Sequence, residues 1–201
     1  MLKSSILLMS CFLAALSACA ANVVQTAHLT THSTSSTTKF GTDSCSATAI
    51  GPHALLTASH CEAPTSVITV DDTEFTIMSI VRDGADHTIY TLSGDAFKDY
   101  ATISTDELAV SDDVFIFGNP GDMEDILRKG YVCAVGSASY LIDLNGFYGD
   151  SGSGLFNTKG KIVGVLSALR QPMQGNVGIK LMIAYKLAFT VEQIKVALES
   201  K

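Results

Sequence analysis

Short apolar runs separated by turn residues constrain the fold of this chain more than any other feature. From Phe40 onward, runs rich in Val, Ile, Leu and Thr alternate with segments that contain Gly, Asp and Asn. This pattern is typical of short β-strands and favours an all-β barrel or sandwich over a helical bundle. The predicted strands cover residues 46–50, 54–57, 66–70, 75–81, 88–92, 114–118, 130–138, 154–157, 162–169 and 177–185.

The predicted strands form two groups, with a polar stretch at residues 101–112 between them. This division predicts two small barrels side by side. The end of the chain differs, because its apolar residues follow helical spacing, and Thr190 and Gln193 have the spacing of a capping box. We therefore predict one amphipathic helix over residues 190–200 and expect its apolar face to dock on the second barrel.

The first residues predict export. Lys3 supplies a positive charge, and the apolar stretch 4–16 is too short to span a bilayer comfortably, so residues 1–18 are interpreted as a secretory signal peptide. The sequence LSAC at residues 16–19 resembles the lipobox of bacterial lipoproteins, which implies lipidation of Cys19 and attachment to a membrane. An ordinary signal peptide with an incidental Cys is the alternative and implies a secreted protein.

Residues 19–39 are rich in Ser and Thr and contain few apolar side chains. Such a segment cannot bury enough surface to order itself, so we predict a lipidated Cys followed by a flexible tether. The folded domain is then predicted over residues 40–201, with barrel one at about 40–106 and barrel two at about 107–188. His28 and His32 lie four apart in the tether, but with no third ligand nearby we expect no metal site.

Composition excludes several classes of protein. The 201 residues carry a formal charge of −7 and contain 16% charged and 47% hydrophobic residues. Without clustered Lys and Arg there is no basis for nucleic-acid binding, and without a later apolar stretch of about 18 residues there is none for a polytopic membrane protein. We expect a monomer that needs no cofactor.

The cysteines divide by position. Cys11 lies in the predicted signal peptide, which leaves Cys45, Cys61 and Cys133 besides the lipobox residue. In an exported protein a bridge between Cys45 and Cys61 would close a loop of roughly 15 residues and stabilise the fold by about 3 kcal/mol. Cys133 lies in an apolar run and is expected to be a buried free thiol.

Three segments each supply one part of a device for nucleophilic catalysis. His60 ends an apolar run, Asp86 begins another, and Ser151 lies between glycines. A serine hydroxyl needs a base, a neutral imidazole can be that base, and a carboxylate can orient the imidazole. Asp83 is the alternative carboxylate, whereas His87 is expected to face away from Asp86 on an alternating strand.

These segments resemble the trypsin/chymotrypsin-like serine peptidases, in the chain order His, Asp, Ser. TASHC at residues 57–61 is similar to the histidine box of that family, and GDSGS at 149–153 to its serine box. The spacing of Cys45 and Cys61 resembles the disulfide beside the catalytic His. FGNP at 117–120 and GLFNTKGKIVGV at 154–165 look like the compact bacterial branch, which includes the HtrA-type peptidases.

The resemblance implies a chymotrypsin-like fold of two antiparallel six-stranded β-barrels with the active site between them. His60 and Asp86 would come from the first barrel and Ser151 from the second. The backbone N–H groups of Gly149 and Ser151 would form the oxyanion hole. The implied activity is that of a serine endopeptidase that acts on proteins or peptides. Together with the lipobox, the resemblance predicts that the protein is a membrane-anchored lipoprotein of the periplasm or cell surface. The alternative is an inactive peptidase-fold lipoprotein that binds peptides.

The resemblance also implies substrate contacts. Ser167 would lie on the strand that pairs with a bound peptide backbone. Asn145 would lie at the floor of the specificity pocket, where an uncharged residue argues against tryptic specificity. Leu169 would narrow the entrance and favour small or medium apolar side chains, although an alignment slip of two residues would put Asp143 at the floor instead.

Asp150 raises the question of activation. In digestive relatives the acid before the catalytic Ser pairs with a new amino terminus, but no corresponding start occurs near Phe40. Asp150 must find another partner, or a cut within the predicted tether must create one. We expect activity without removal of a propeptide.

Overall fold

The computed structural model describes residues 23–38, 41–174, 177–178 and 180–199. The predicted signal peptide, residues 1–18, and the predicted lipidation site, Cys19, lie outside the described residues. No helix within these ranges is long and apolar enough to cross a bilayer.

The first barrel closes from six antiparallel strands in the order β1-β2-β3-β6-β5-β4. These strands are β1 (Thr31–Thr38), β2 (Gly41–Gly51), β3 (Ala54–Ala58), β4 (Val67–Val70), β5 (Thr73–Arg82) and β6 (His87–Leu92). Leu55, Tyr90 and their apolar neighbours fill its interior. Among the described strands of this barrel, closure leaves no free sheet edge around the core.

The second barrel also closes from six antiparallel strands, in the order β10-β11-β14-β9-β8-β7. The second half of the chain forms β7 (Asp113–Gly118), β8 (Ile126–Val135), β9 (Ser139–Asp143), β10 (Gly154–Phe156), β11 (Ile162–Arg170), β12 (Met173–Gln174), β13 (Val177–Gly178) and β14 (Leu181–Tyr185). The short strands β12 and β13 pair only with each other. The predicted all-β double barrel is confirmed.

A third apolar cluster joins the two barrels. Leu56 and Ile89 of barrel one and Phe117 and Phe156 of barrel two belong to it, and Leu56 and Phe156 are fully buried. Adjacent residues of β3 therefore serve different cores, because successive strand side chains point to opposite faces. Each such side chain contributes about 1.5–3 kcal/mol by burial, so the barrels are held firmly against each other.

The interpretation of residues 19–39 as a flexible tether is wrong for residues 23–38. Residues 23–30 form a helix, α1, with Val23 and Ala27 buried. Strand β1 follows and pairs with both β2 and β4, so that Thr34 lies between Cys45 and Val70. β-Branched Thr suits a strand well once neighbours complete the ladder, and composition alone does not reveal those neighbours. The folded part therefore begins before residue 40.

Two smaller strand predictions also differ from the structure. The predicted strand 130–138 runs through a turn, since the Gly136 amide donates to the Ser139 carbonyl and closes the β8–β9 hairpin. Strand β9 follows directly and was not predicted. The predicted strand 177–185 is shorter in the structure, where β14 covers only Leu181–Tyr185. Turn positions inside apolar runs explain these errors.

The C-terminal helix is confirmed, but its predicted docking site is wrong. Helix α2 spans Val191–Glu199, and the predicted capping box is present, with reciprocal bonds of 2.8 and 3.2 Å between Thr190 and Gln193. The helix packs on barrel one, where the Thr91 hydroxyl donates to the Ala197 carbonyl. The chain reaches that barrel because the Ala188 amide donates to the Asp83 carboxylate at 3.0 Å.

Candidate active site

The antiparallel pairing of β3 and β6 brings His60 and Asp86 together. Ala58 lies opposite His87, so the end of β3 is beside the start of β6. His60 follows β3 in a single 3₁₀ turn, Ser59–Cys61. Its ring Nδ1 lies 2.8 Å from Asp86 Oδ2, and its backbone N–H donates to Asp86 Oδ1 at 3.1 Å. One carboxylate thus orients both the ring and the backbone of His60.

Asp83, the alternative carboxylate, contacts a different histidine. Its Oδ2 lies 2.5 Å from His87 Nδ1, and both side chains are fully buried. Burial raises the pKa of Asp83, but hydrogen bonds from His87 and the Ala188 amide outweigh that effect and hold this pKa below its usual range. His87 is turned away from Asp86, as strand alternation predicts.

The predicted bridge between Cys45 and Cys61 is confirmed, with Cα atoms 6.1 Å apart. It ties strand β2 to the turn that carries His60. Cys133 is a free thiol, but it is half-buried rather than buried. Burial, with the negative charge of Asp143, raises the pKa of the Cys133 thiol and so disfavours the nucleophilic thiolate.

Ser151 lies in the loop before β10, and it borders the same two cavities as His60. Both residues line a cavity of about 570 Å³ on one side and another of about 460 Å³ on the other. Among the hydrogen bonds of the described residues, none joins His60 to the Ser151 hydroxyl. Catalytic hydrogen bonds are often longer in a free enzyme than in its substrate complex.

The loop around Ser151 requires glycine where barrel one touches it. Gly152 has φ 89°, and a Cβ there would lie 2.0 Å from the Ser46 carbonyl oxygen and 2.3 Å from Thr57 Oγ1. Any other residue would push the two barrels apart or strain the backbone. The glycine therefore lets the loop of barrel two sit directly on barrel one.

Two backbone amides beside Ser151 are left without an internal acceptor. The Tyr148 carbonyl accepts a hydrogen bond from the Gly121 amide, and the Asp150 carbonyl accepts one from the Ser153 amide. In a trans peptide the N–H points opposite to the C=O, so the N–H groups of Gly149 and Ser151 point away from these contacts. Within the described residues, neither of these two N–H groups donates a hydrogen bond.

Ser46 holds this loop in place. Its backbone N–H donates to the Ser151 carbonyl and its hydroxyl to the Gly149 carbonyl, both at 2.8 Å. The same hydroxyl accepts the Asn119 amide of barrel two at 3.0 Å. Ser46 is fully buried, so one side chain fixes the loop to both barrels. Sequence analysis placed Ser46 only as a strand residue, because a single Ser carries no signal of such a role.

Asp150 finds its partner in Arg128, which lies on β8. The two terminal guanidinium nitrogens of Arg128 donate to the two carboxylate oxygens of Asp150, and the Phe147 amide adds a bond of 2.6 Å. The Asp150 side chain is fully buried, and that of Arg128 is 15% exposed. A Cβ at Gly118 would lie 2.5 Å from Asp150 Oδ1, which explains the glycine of the FGNP segment. Sequence analysis left this partner open, since 22 residues separate the pair.

The three residues predicted to contact substrate differ in their placement. Ser167 and Leu169 line the larger cavity. Asn145 is exposed and does not line this cavity, a placement that does not match its predicted position at the pocket floor. Its neighbours Leu144 and Gly146 are buried, and alternation turns Asn145 outward.

His28 and His32, the two histidines considered as metal ligands, contact different aspartates. His28 lies 3.5 Å from Asp125, and His32 lies 2.5 Å from Asp71. Across the described ranges, no group of three or more His, Cys, Asp or Glu residues is arranged to hold a metal ion.

Relatives of known structure share this fold. The active form of the Rv3671c protease from M. tuberculosis superposes with a TM-score of 0.72 at 15% identity, covering 89% of this chain and 85% of that one. The HtrA-type protease AlgW with tripeptide gives 0.69 at 18% identity, covering 89% of this chain and 63% of that one. At these identities the likeness concerns the fold.

Sequence relatives are periplasmic proteases by name. The chain is 30% identical over 102 residues to the periplasmic pH-dependent serine endoprotease DegQ of Escherichia coli (strain K12), covering 46% of this chain and 22% of that protein. It is 29% identical over 147 residues to the probable periplasmic serine endoprotease DegP-like of Rhizobium meliloti (strain 1021). That match covers 67% of this chain and 29% of that protein. The chain thus matches less than a third of either relative's length.

The match to a protein family covers the site described above. Residues 45–165 match the trypsin-like peptidase domain, which is more than half of the chain and includes His60, Asp86 and Ser151. With the double barrel around these residues, the chain belongs to the trypsin-like peptidase family.

Proposed function

We propose that this chain is a serine endopeptidase with Ser151 as nucleophile, His60 as general base and Asp86 as the orienting carboxylate. One observation carries the proposal. Asp86 holds the His60 ring through Nδ1 at the rim of a cleft that Ser151 also lines. The other ring nitrogen, Nε2, is left to act on the serine hydroxyl, as the triad chemistry requires.

In the proposed reaction, His60 Nε2 takes the hydroxyl proton while Ser151 Oγ attacks the carbonyl carbon of the substrate. The C–N bond then breaks, and the proton moves from His60 to the leaving amine. Water attacks the resulting ester and gives a proton to His60, which returns it to Ser151 Oγ as the acid product leaves. Asp86 keeps one tautomer in place and stabilises the imidazolium.

The developing oxyanion needs donors that are in position before the reaction. The free N–H groups of Gly149 and Ser151 support this role, because their peptide carbonyls are already bonded elsewhere. Gly149 has φ 100°, and a Cβ there would lie 2.3 Å from the Asn119 carbonyl oxygen. The loop conformation therefore depends on glycine at this position.

The Arg128–Asp150 pair supports activity without cleavage of a propeptide. A buried carboxylate needs a cationic partner, and Arg128 donates to both of its oxygens from within the folded chain. Asp150 lies between the residues that carry the two proposed oxyanion donors. We propose that Arg128 is the positioning residue for this loop, in place of a new amino terminus.

Substrate is proposed to bind as an added strand beside β11. Strand β10 pairs with β11 only as far as Val165, while β14 pairs with its opposite edge up to Arg170. Among the described strands, none pairs with this edge near Ser167 and Leu169, which line the cleft. Main-chain hydrogen bonds at such an edge bind extended peptides with little dependence on their sequence.

We further propose that the protein is exported and anchored through lipid at Cys19. The disulfide and the periplasmic names of the relatives support export. Only residues 20–22 separate Cys19 from helix α1, which spans residues 23–30. Three extended residues reach roughly 10 Å, so an anchored domain would lie close to the membrane surface rather than at the end of a long tether.

The test is cleavage of an unfolded protein, followed by mass spectrometry of the fragments. The oxidised wild-type chain is expected to release peptides. Ser151→Ala and His60→Ala are each expected to lower turnover by several powers of ten, because the triad acts as a unit. Ser153→Ala is the matched control, since this neighbouring serine hydroxyl faces the Arg128–Asp150 pair instead of the cleft.

Two results would contradict the proposal. The first is wild-type protein that binds the unfolded substrate without producing fragments, which would favour a peptide-binding role. The second is undiminished cleavage by Ser151→Ala, which would assign the activity to another group.

A further inference from the structure

One lysine is found among the described residues that line the larger cavity beside Ser151. The described lining of this cavity includes Lys180 and no Asp or Glu. The remaining walls are mostly apolar, with Gly146, Leu166 and Met182 among them. A side chain that enters this cavity therefore meets an apolar surface and a single ammonium group.

Strand geometry directs Lys180 into the cavity. Lys180 directly precedes β14, and Met182 is two residues further on, so the two side chains point to the same side of the extended chain. Met182 is buried beside Gly146, where an added Cβ would lie 2.3 Å from the methionine sulfur. Met182 thus closes the base of the cavity, and the half-buried Lys180 lies at its wall.

Lys180 has no carboxylate partner among the described residues. Lys129, Lys159 and Lys186 each form an ion pair with an acidic side chain. Lys180 instead places its Nζ 5.8 Å from the centre of the Phe147 ring. A half-buried cation without a counter-ion, in a cavity open to substrate, is electrostatically complementary to an anionic group.

We infer that Lys180 makes this cavity select an acidic side chain, Glu or Asp, at the residue whose carbonyl Ser151 attacks. The inference rests on the proposed function. A substrate strand beside β11, with its reacting carbonyl at Ser151, points the adjacent side chain into the space between the 146–148 segment and Lys180. This inference replaces the expectation of a small or medium apolar side chain, which relied on Leu169 narrowing the pocket entrance.

The experiment compares peptides that differ only at the residue before the scissile bond, with Glu, Gln, Lys or Leu at that position. The measurement is kcat/KM per active site. Active sites are counted with a fluorophosphonate, whose reaction does not depend on the peptide residue that is varied. The expected result is that Glu exceeds its uncharged isostere Gln by roughly tenfold or more. This ratio should fall as salt is raised, because salt screens a partly exposed pair.

Variants separate the charge from the shape of the cavity. Lys180→Met should reduce the Glu/Gln ratio to near one, Lys180→Arg should keep it, and Lys180→Glu should favour the Lys peptide. Lys159→Met is the control, because that lysine pairs with Asp106 outside the cavity. Its Glu/Gln ratio should equal that of the wild type.

The inference is overturned if wild-type protein reacts with the fluorophosphonate but its kcat/KM for the Gln or Leu peptide equals or exceeds that for the Glu peptide. It is also overturned if the Glu preference survives in Lys180→Met. If the wild-type chain incorporates no fluorophosphonate, the proposed function itself fails, so the two failures are distinct. Salt dependence of the wild-type ratio provides the test if a variant does not fold.

Discussion

Two Asp–His pairs have their carboxylates three residues apart, at Asp83 and Asp86 in the turn before β6. The two pairs have opposite environments. In the Asp86–His60 pair the side chains are 23% and 45% exposed, at the edge of the cleft. In the Asp83–His87 pair both are fully buried, and the same carboxylate also accepts the Ala188 amide that leads to the C-terminal helix. The chemical groups are the same, but their access to substrate differs completely.

An Asp–His contact therefore does not by itself mark a catalytic site. His60 Nδ1 lies against Asp86, and His60 lines the cleft. The other ring nitrogen of His87, Nε2, is buried without a hydrogen-bond partner among the described residues. In the proposed function the exposed pair serves proton transfer, whereas the buried pair fastens the C-terminal segment to barrel one. Each role predicts a distinct response to substitution.

The largest expected effect separates the two carboxylates by activity. Asp86→Asn should lower turnover by roughly 10⁴-fold, because the amide favours the wrong tautomer of His60. Asp83→Asn should leave turnover within a small factor of the wild type. The measurement is kcat on one peptide for both variants. An equal loss in the two variants would remove the distinction between the pairs.

A third ion pair extends the comparison into barrel two. Arg128→Met leaves the buried Asp150 carboxylate without a counter-ion, which should cost roughly 3–5 kcal/mol of unfolding free energy and disorder the loop at Ser151. Urea unfolding and the rate of fluorophosphonate labelling measure the two effects. The double variant Arg128→Met/Asp150→Asn should recover part of the stability. No loss in the single variant would contradict the account.

The disulfide supports the exposed pair from the neighbouring position. Replacing both Cys45 and Cys61 by Ala should lower the free energy of unfolding by about 3 kcal/mol. It should also slow labelling of Ser151, because Cys61 directly follows His60. Cys133→Ala is the control, with an expected change below about 1 kcal/mol. If the double variant is as stable as this control, the bridge does not stabilise the barrel.

The smallest effect concerns the buried pair and depends on pH. The pKa of Asp83 is lower in the folded chain than its usual value of about 3.9. Its stabilisation is therefore fully present above pH 4 and lost as pH falls through the lower, folded value. Asp83→Asn should cost about 1–3 kcal/mol at pH 7, and the deficit relative to wild type should shrink below about pH 4. A deficit independent of pH would contradict this explanation.

Sequence reasoning predicted the double barrel well, because most strands are apolar runs bounded by turn residues. It missed β1, whose Ser and Thr residues acquire strand structure only through pairing with β2 and β4. It also misplaced helix α2, because amphipathicity shows that a helix has a buried face without showing which surface covers it. Long-range contacts decide both features.

The residues of the candidate site were predicted unevenly for a related reason. Local sequence marks His60, Asp86 and Ser151, since each ends or begins a strand or lies between glycines. Arg128 and Ser46 carry no such mark, because their roles arise from contacts 22 and 103 residues away along the chain. Asn145 was misplaced because counting back from Ser151 ignores how the backbone alternates beside the buried Leu144.

The most direct test of the account is the reaction of oxidised protein with a fluorophosphonate, followed by peptide mass spectrometry. The account predicts one adduct, on Ser151, that forms far more slowly in His60→Ala but at a near-normal rate in correctly folded His87→Ala. Labelling that is unchanged in His60→Ala, or an adduct on another residue, would contradict the claim that His60 activates Ser151.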